Sequence, residues 1–455
     1  MPYILTEGFL MTEKIQLSDH FTYNKLLRFT FPTIVMMIFT SIYGVVDGIF
    51  VSNFAGKTAF AAINIVIPYT MLFGTLGIMV GTGGTALISM TLGTGDHKRA
   101  NNIFSQLVYG SIIAGIFCTV LGIALLRPAS ILMGAEGAMI DLCVDYGLYT
   151  LPAMTAFILQ NEFQSFCSAA EKPGLGLGLT VAAGITNIVL DALFVGLFHW
   201  GLTGAALATA LRQCVGGLVP LIYFSRPNPT PLRLCKPKWE AMVFVRTCTN
   251  GSSELMSNIS LSIVSILYNL QLMNLVGEDG VAAYGVIMYV NFIFIAVFLG
   301  YSIGAAPVVG YHYGAGNHSE LKNLLRKGLT IIGVLSVALT AIAITLSGPL
   351  CGIFVGYDAA LFDMTKWAFI LYSVSFLFCG FNIFGSSFFT ALNNGLISAL
   401  ISFLRTMVFQ TACVLILPIF WELDGVWVSI IVAELLALVL TVICLIKNKD
   451  RYHYA

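Results

Sequence analysis

Charged side chains are scarce in this chain of 455 residues: Asp, Glu, Lys and Arg make up 10% of it, whereas 58% of the residues are hydrophobic. Soluble domains have roughly 25% charged residues, so the composition excludes a soluble globule and predicts a protein embedded mostly in a bilayer. The formal net charge of +0 provides no overall field that would recruit nucleic acid. Membrane lipids are therefore expected as the surroundings, and a nucleic-acid partner is not.

Motifs that would mark an ATPase, a zinc protease or a cysteine-based metal site are also missing. The one fragment of a P-loop, Gly56-Lys57-Thr58, has Val51 where the leading glycine should be, and no H-E-x-x-H occurs. The 10 cysteines are scattered singly, without C-x-x-C or a Cys/His spacing suited to a metal. No basic region followed by an apolar core precedes the first span, so no cleaved signal peptide is expected. We expect neither enzyme activity nor a cofactor, and any transport must draw on an ion gradient.

Apolar stretches long enough to cross a bilayer, about 20 residues each, recur along the chain. They lie at 29–52, 59–82, 103–126, 142–168, 174–198, 202–223, 246–272, 281–303, 329–352, 364–390, 395–419 and 425–446. The sequence thus predicts an all-α integral membrane protein of about twelve transmembrane helices. Six form an N-lobe at 29–224 and six form a C-lobe at 243–446. A Pro-rich, basic linker at 225–242 joins the lobes, and segments 1–28 and 447–455 flank them.

The second half of the chain repeats the first at an offset of 221 positions. Repeat-related pairs include Gly93 and Gly314, Gly95 and Gly316, His97 and His318, Asn102 and Asn323, and Trp200 and Trp421. Because each half has six spans, both halves enter the membrane in the same direction, as a parallel repeat. Such duplicated apolar chains are typical of secondary transporters, in which substrate and ion bind between two rocking lobes.

Lysine and arginine are concentrated at one end of the predicted spans. The even-numbered connections and both tails carry most of them, whereas the odd-numbered connections hold only Lys57, Arg127 and Lys366. The positive-inside rule then places both termini and the linker in the cytoplasm of a cell with this protein in its plasma membrane.

A short series of ionisable residues lies deep inside predicted spans, where a charge is costly and marks a candidate functional site. These residues are Asp47, Glu162, Asp191, Arg212, Glu254, Arg405 and Glu434. Asp47 and Asp191 both lie in the outer third of spans that run outward. The two carboxylates are therefore predicted to meet at one depth inside the N-lobe.

Polar neighbours support an ion site around these two acids. Thr40, Tyr43 and Asp47 share one helix face, and Asn187 and Asp191 share another. Two buried anions repel each other, so a proton or Na⁺ bound between them is favourable. The alternative is that each Asp hydrogen-bonds to hold two helices together.

The repeat allows a comparison between the halves. Positions 47, 162 and 191 correspond to Tyr268, Ile383 and Ala412 in the second half. The scaffold is duplicated but the acids are not, so the ion site is predicted in the N-lobe only.

Other side chains are candidates for the substrate site, each with an alternative interpretation. Glu162 either pairs with Arg212 or lines a cavity that faces the cytoplasm, and Glu254 is a second candidate for contact with a cation. Met288 and Phe292, on one face of the eighth span, either line a pocket for flat apolar ligands or pack against neighbouring helices. Arg405 and Glu434 are interpreted as a buried ion pair, and Asn161 adds to the polar face of the fourth span.

Four segments together resemble the MATE (multidrug and toxic compound extrusion) family, and they do so across nearly the whole chain. They are IYGVVDGIFVSNFAG in the first span, LGTGDHKRANN after the second, its echo YGAGNHSELKN after the eighth, and NGSSE at the head of the seventh. The last resembles the MepA-like bacterial branch. The resemblance implies two lobes in a V around a central cavity, and export of lipophilic cations driven by H⁺ or Na⁺.

The resemblance also implies roles for particular residues. The family's N-lobe ion site matches Tyr43, Asp47, Asn187, Asp191 and, next to them, Asn161, and the proline on which the first helix bends in some members matches Pro32. Some branches place a further acid in the tenth span, but residues 364–390 contain no Asp or Glu. A second-lobe Na⁺ site of that type is therefore not expected.

These observations predict a monomeric secondary antiporter that exports small organic cations in exchange for H⁺ or Na⁺. One alternative is a flippase for a lipid-linked saccharide, whose pyrophosphate would require a cavity lined with Arg and Lys. Another is an ion channel or membrane sensor, which would not need two carboxyls at one depth.

Overall fold

The computed structural model describes residues 15–54 and 57–454, and it describes side chains outside 44–61. The described chain is built from helices: α1 (Tyr23–Phe54), α2 (Lys57–Gly93), α3 (His97–Leu132), α4 (Ala138–Thr150), α5 (Met154–Ala169), α6 (Pro173–Asp191), α7 (Gly201–Ser225), α8 (Ala241–Val276), α9 (Glu278–Gly314), α10 (His318–Thr345), α11 (Ser347–Val355), α12 (Ala359–Ser373), α13 (Phe376–Ala391), α14 (Gly395–Phe403), α15 (Gln410–Ile416) and α16 (Pro418–Tyr452).

These helices confirm the predicted all-α membrane architecture. Among the described residues, eleven stretches are long and apolar enough to cross a membrane, and the pair α12–α13, bent by 47°, makes a twelfth when it is counted as one span. Several helices continue past the apolar stretches; α2, for example, runs beyond the predicted end of its span at 82 as far as Gly93. Hydropathy marks only the part in contact with lipid, whereas the helix continues wherever its backbone hydrogen bonds do.

The repeat is visible in the backbone. Gly95 and Gly316, which are related by the 221-residue offset, both adopt positive φ angles, of 82° and 66°. Asp96 and Asn317 follow them and cap α3 and α10, each accepting the backbone N–H three residues further on, at 2.9 and 3.1 Å. The two halves therefore use the same turn to begin their third span.

The two lobes meet through α1 and α2 of the first and α8 and α9 of the second. A Cβ atom on Gly93 would lie 2.0 Å from the carbonyl oxygen of Tyr311, and one on the repeat-related Gly314 would lie 1.9 Å from that of Met90. Gly251 of α8 packs equally closely on the backbone of α2. Only glycine permits backbones this close, so the structure shows the lobes packed tightly at one end of the bundle.

The linker and both described chain ends lie at that same end. Side chains of Asn101, Asn102 and Gln106 on α3 accept backbone N–H groups of the linker at 2.6, 2.6 and 2.8 Å. The backbone N–H of Phe21 donates to a carboxylate on α10 at 2.9 Å, and the ring of Tyr452 packs at the end of α9. We call this the linker end of the molecule.

One stretch of α9, Gly300-Tyr301-Ser302-Ile303-Gly304, has the G-x-S-x-G spacing of serine hydrolases. That motif requires a sharp strand-to-helix turn that exposes the serine. Here the stretch is in the interior of a helix, Ser302 is 2% exposed, and a Cβ on Gly300 would lie 2.5 Å from Cα of Ile34. The glycines therefore allow α1 and α9 to approach, and the serine is not placed as a nucleophile.

Candidate functional site

A buried carboxylate lies at a break in α6. Asp191 is the last residue of that helix and is followed by a π-helical turn, Ala192–Leu197. Asp191 is 1% exposed, and Asn187, 2% exposed, donates a hydrogen bond from Nδ2 to its Oδ2. π-Helical turns are rare and concentrate at functional sites. The predicted partner, Asp47, belongs to the stretch 44–61, whose side chains lie outside the described part of the structure.

Tyr43 binds the guanidinium of Arg212 in the same lobe. Its hydroxyl oxygen accepts a hydrogen bond from Nη1 of Arg212 at 2.7 Å, and Cζ of that guanidinium lies 5.1 Å from the centroid of the tyrosine ring. A Cβ on Gly184 of α6 would lie 3.5 Å from the ring of Tyr43, so the pair sits beside the helix that carries the buried carboxylate.

The pairing of Arg212 with Tyr43 was not anticipated from the sequence, which offered Glu162 as the partner of Arg212. Both residues of the observed pair lie near the middle of their spans. A comparison of their depths would have shown that they can meet.

Replacing Tyr43 by Phe is expected to lower both thermal stability and the rate of transport. The ring remains, but Arg212, which is 8% exposed, loses a hydrogen-bond acceptor, and a buried donor left without one costs about 1–3 kcal/mol. Melting temperature and efflux rate would be compared with those of Tyr109→Phe, whose ring is 36% exposed on α3. An unchanged melting temperature for Tyr43→Phe would show that the hydrogen bond contributes little.

Glu162 is enclosed between helices in this arrangement of the lobes. Its exposure is 0%, and neither carboxylate oxygen accepts a hydrogen bond with normal geometry from the described residues. The hydroxyl of Ser111 on α3 is near enough to interact with it, and α2 packs on its backbone at Gly81. An ionised carboxylate without a partner is unfavourable in such surroundings. Glu162 therefore lines no open cavity here, and its predicted contact with substrate requires another arrangement of the lobes.

Two more predicted site residues occupy α5 and α1. The amide of Asn161 donates to the carbonyl oxygen of Gly74 at 3.2 Å, so this side chain joins α5 to α2. Pro32 lies within α1, which is assigned as one helix across it. Because proline removes a backbone hydrogen bond, bending is easier there than elsewhere in α1.

The predicted apolar pocket residues lie on α9 beside the other lobe. Phe292 is 59% exposed, and its carbonyl oxygen accepts a hydrogen bond from Oγ of Ser41 on α1 at 3.4 Å. Met288, one turn earlier, is partly buried and packs on the main hydrophobic core. The structure therefore places Phe292 at the boundary between the lobes, with an accessible ring.

The predicted ion pair in the C-lobe is confirmed. Nε of Arg405 lies 2.8 and 2.9 Å from the two carboxylate oxygens of Glu434, and Asn382 donates to the same carboxylate at 2.8 Å. Arg405 itself lies on a second π-helical turn, Leu404–Phe409. Each lobe thus has a π-helical turn in its fifth span, next to or containing a buried charged residue.

Glu254 is the remaining acid of the series. It is partly exposed on α8. The amide of Asn258, offered by the sequence as its partner, instead donates to the backbone carbonyl of Glu254 at 2.8 Å. The carboxylate itself is thus not engaged by that amide.

Comparison with known proteins follows the same division into halves. The MatE family model matches residues 32–193 and again residues 255–415. The multidrug export protein MepA of Staphylococcus saprophyticus is 23% identical over 436 residues, and MepA of Staphylococcus aureus (strain MRSA252) is 22% identical over 433, each alignment covering 94% of both chains. The solved outward-facing conformation of a multidrug resistance MATE family transporter is 22% identical, with a TM-score of 0.91 over 98% of this chain and 99% of that one. This multi-pass membrane protein therefore belongs to the MatE family, with one family repeat in each lobe.

Proposed function

We propose that this protein is a secondary antiporter that exports lipophilic organic cations in exchange for H⁺ or Na⁺, as a monomer and without a cofactor. The observation that carries the proposal is the buried carboxylate of Asp191, held by Asn187 at a π-helical turn inside the N-lobe. Membership of the MatE family supports transport, and the names of the MepA relatives support multidrug export. The proposed ion site comprises Asp47, Asp191, Asn187 and Tyr43, with Asn161 behind it.

The packing of α1 supplies a physical route for coupling. This helix carries Tyr43 and packs both on α6, which carries Asp191, and on α9 of the other lobe. An ion that binds near Asp191 therefore alters contacts of a helix that also forms the lobe interface. Coupling requires that the ion bind the two lobe arrangements with different affinity. A potential of about 100 mV supplies roughly 2.3 kcal/mol per charge moved, enough for substantial accumulation.

The proposed substrate site lies between the lobes. Glu254 is partly exposed on α8, and the ring of Phe292 is accessible on α9. An acidic side chain attracts a flat cation, and the face of an aromatic ring offers it a second favourable contact. If the linker end is cytoplasmic, as the distribution of Lys and Arg predicts, the packed lobes correspond to the outward-facing state. Glu162 would then become accessible when the linker end opens.

The flippase alternative is less well supported. A cavity for a pyrophosphate needs arginines or lysines whose charge is available. In the described spans Glu434 offsets the charge of Arg405, whereas Arg212 donates to the neutral hydroxyl of Tyr43 and keeps its charge. A single such guanidinium falls short of the several cations that a pyrophosphate would require.

Purified protein in proteoliposomes would test the proposal. Ethidium transport would be followed under an imposed proton gradient, an imposed sodium gradient, both, or neither. We expect uphill transport under at least one gradient, and its loss when an ionophore collapses that gradient. Ethidium movement that is indifferent to both gradients would refute antiport, and ion flux without ethidium would indicate a channel.

A further inference from the structure

The C-lobe holds its charges in a different way from the N-lobe. Gly184 and Gln213 stand in the N-lobe at the positions equivalent to Arg405 and Glu434. We propose that Arg405 is a built-in counter-cation that occupies the C-lobe carboxylate site at Glu434 in place of a mobile coupling ion. The exchangeable ion then binds only in the N-lobe, and Glu254 remains available to an organic cation. This inference rests on the proposed function, since it concerns how many ions the cycle exchanges.

The geometry leaves little room for a second cation at Glu434. The side chains of Arg405 and Glu434 are 14% and 2% exposed, and Nε contacts both carboxylate oxygens. Asn382 donates to Oε2, and Thr441 orients that amide by donating to its oxygen at 3.0 Å. A bound Na⁺ would need these carboxylate lone pairs, which already accept hydrogen bonds from fixed donors.

Glu434 and Glu254 differ in their contacts and exposure. Glu434 is buried and takes the direct contacts of Arg405, whereas Glu254 on α8 is partly exposed. Glu254 is therefore the acid of the two that a substrate can reach.

The repeat shows that the C-lobe lacks the acids of the proposed ion site. Tyr268 occupies the position equivalent to Asp47; it is 2% exposed, and its hydroxyl lies 2.6 Å from Oγ of Ser429. Ala412 occupies the position equivalent to Asp191. Neutral side chains thus replace the ion-binding acids in the lobe in which Arg405 pairs with Glu434.

Removing the arginine should create an ion site that the native protein lacks. Purified Arg405→Ala would be compared with wild type by potentiometric titration for protons and by equilibrium binding of ²²Na⁺. Because the buried Glu434 would no longer have a counter-charge, we expect about one additional H⁺ or Na⁺ per molecule. The double variant Arg405→Ala/Glu434→Gln should bind as many cations per molecule as wild type. Arg405→Lys, which keeps the positive charge, should also bind the wild-type number.

Two results would overturn the inference. One is a folded Arg405→Ala protein that binds no additional cation; the other is a loss of one bound cation in Glu434→Gln on the wild-type background. If Arg405→Ala does not fold, the double variant Arg405→Gln/Glu434→Gln is measured instead. Binding of the same number of cations per molecule as wild type supports the inference, and binding of fewer overturns it. Asp191→Asn is titrated alongside, since an unchanged number there refutes the proposed N-lobe site independently of Arg405.

Discussion

Asp191→Asn is expected to abolish most gradient-driven export of a lipophilic cation. Asparagine is close in size and keeps hydrogen-bonding capacity toward Asn187, but it neither takes up a proton nor offers a negative charge to Na⁺. If the carboxylate is the coupling site, its loss should reduce uphill export about 5- to 150-fold, the range given by coupling free energies of about 1–3 kcal/mol. Ethidium efflux from energised cells at matched expression would measure the effect.

A matched control uses an acid that is not in the proposed site. Asp141 lies in the first turn of α4, and its side chain is 68% exposed in a surface pair with Arg127 at 3.3 Å. Such pairs contribute little, so Asp141→Asn should export ethidium like wild type. Normal export by a well-folded Asp191→Asn protein would mean that Asp191 has a structural role, and coupling would then have to be sought at Glu162 or Glu254.

Gly314→Ala is expected to destabilise the packed arrangement of the lobes. The added Cβ would lie 1.9 Å from the carbonyl oxygen of Met90, and a backbone atom cannot move aside as a flexible side chain can. Overpacking of this kind costs about 1–3 kcal/mol, which should favour separation at the linker end about 5- to 150-fold. Distances between spin labels on α2 and α9 would report the shift, and the transport rate should fall with it.

Gly285→Ala provides the control within the same helix. Nothing lies within 4 Å of the Cβ that it would add, and replacing a helical glycine by alanine stabilises by about 0.5–1 kcal/mol. We expect an unchanged distance distribution and an equal or higher melting temperature. If Gly314→Ala gave the same distances as Gly285→Ala, the close contact at Met90 would not be a determinant of lobe packing.

The membrane architecture could be predicted from the sequence because its physical cause is local. In lipid, each span must satisfy its backbone hydrogen bonds within itself, so an apolar stretch of sufficient length becomes a helix wherever it occurs. The placement of Asn187 one helical turn before Asp191 is local in the same sense. The ion pair between Arg405 and Glu434 could also be predicted, since a buried charge requires a partner and both residues lie at similar depth.

The hydrogen-bond partner of a polar side chain could not be predicted in this way where several helices offer one. Arg212 had Glu162 available in the same lobe and is instead bound by Tyr43, and Asn161 bonds a backbone carbonyl of α2. These outcomes depend on how helices rotate and how closely they approach. Both are set by contacts between residues far apart in the chain.

The sequence by itself determined the class of protein, the span count, the repeat and the positions of the membrane-buried acids. Composition and hydrogen-bond satisfaction act on each segment independently, and they leave few alternatives. Only the tertiary structure decided which end of the lobes is packed, that Glu162 is enclosed, and that Arg405 contacts Glu434 directly while Glu254 stays partly exposed. These features depend on contacts between distant residues, such as that of Gly314 with Met90. The arrangement of the lobes that is packed at the linker end requires such glycine contacts, whereas an arrangement open at that end does not.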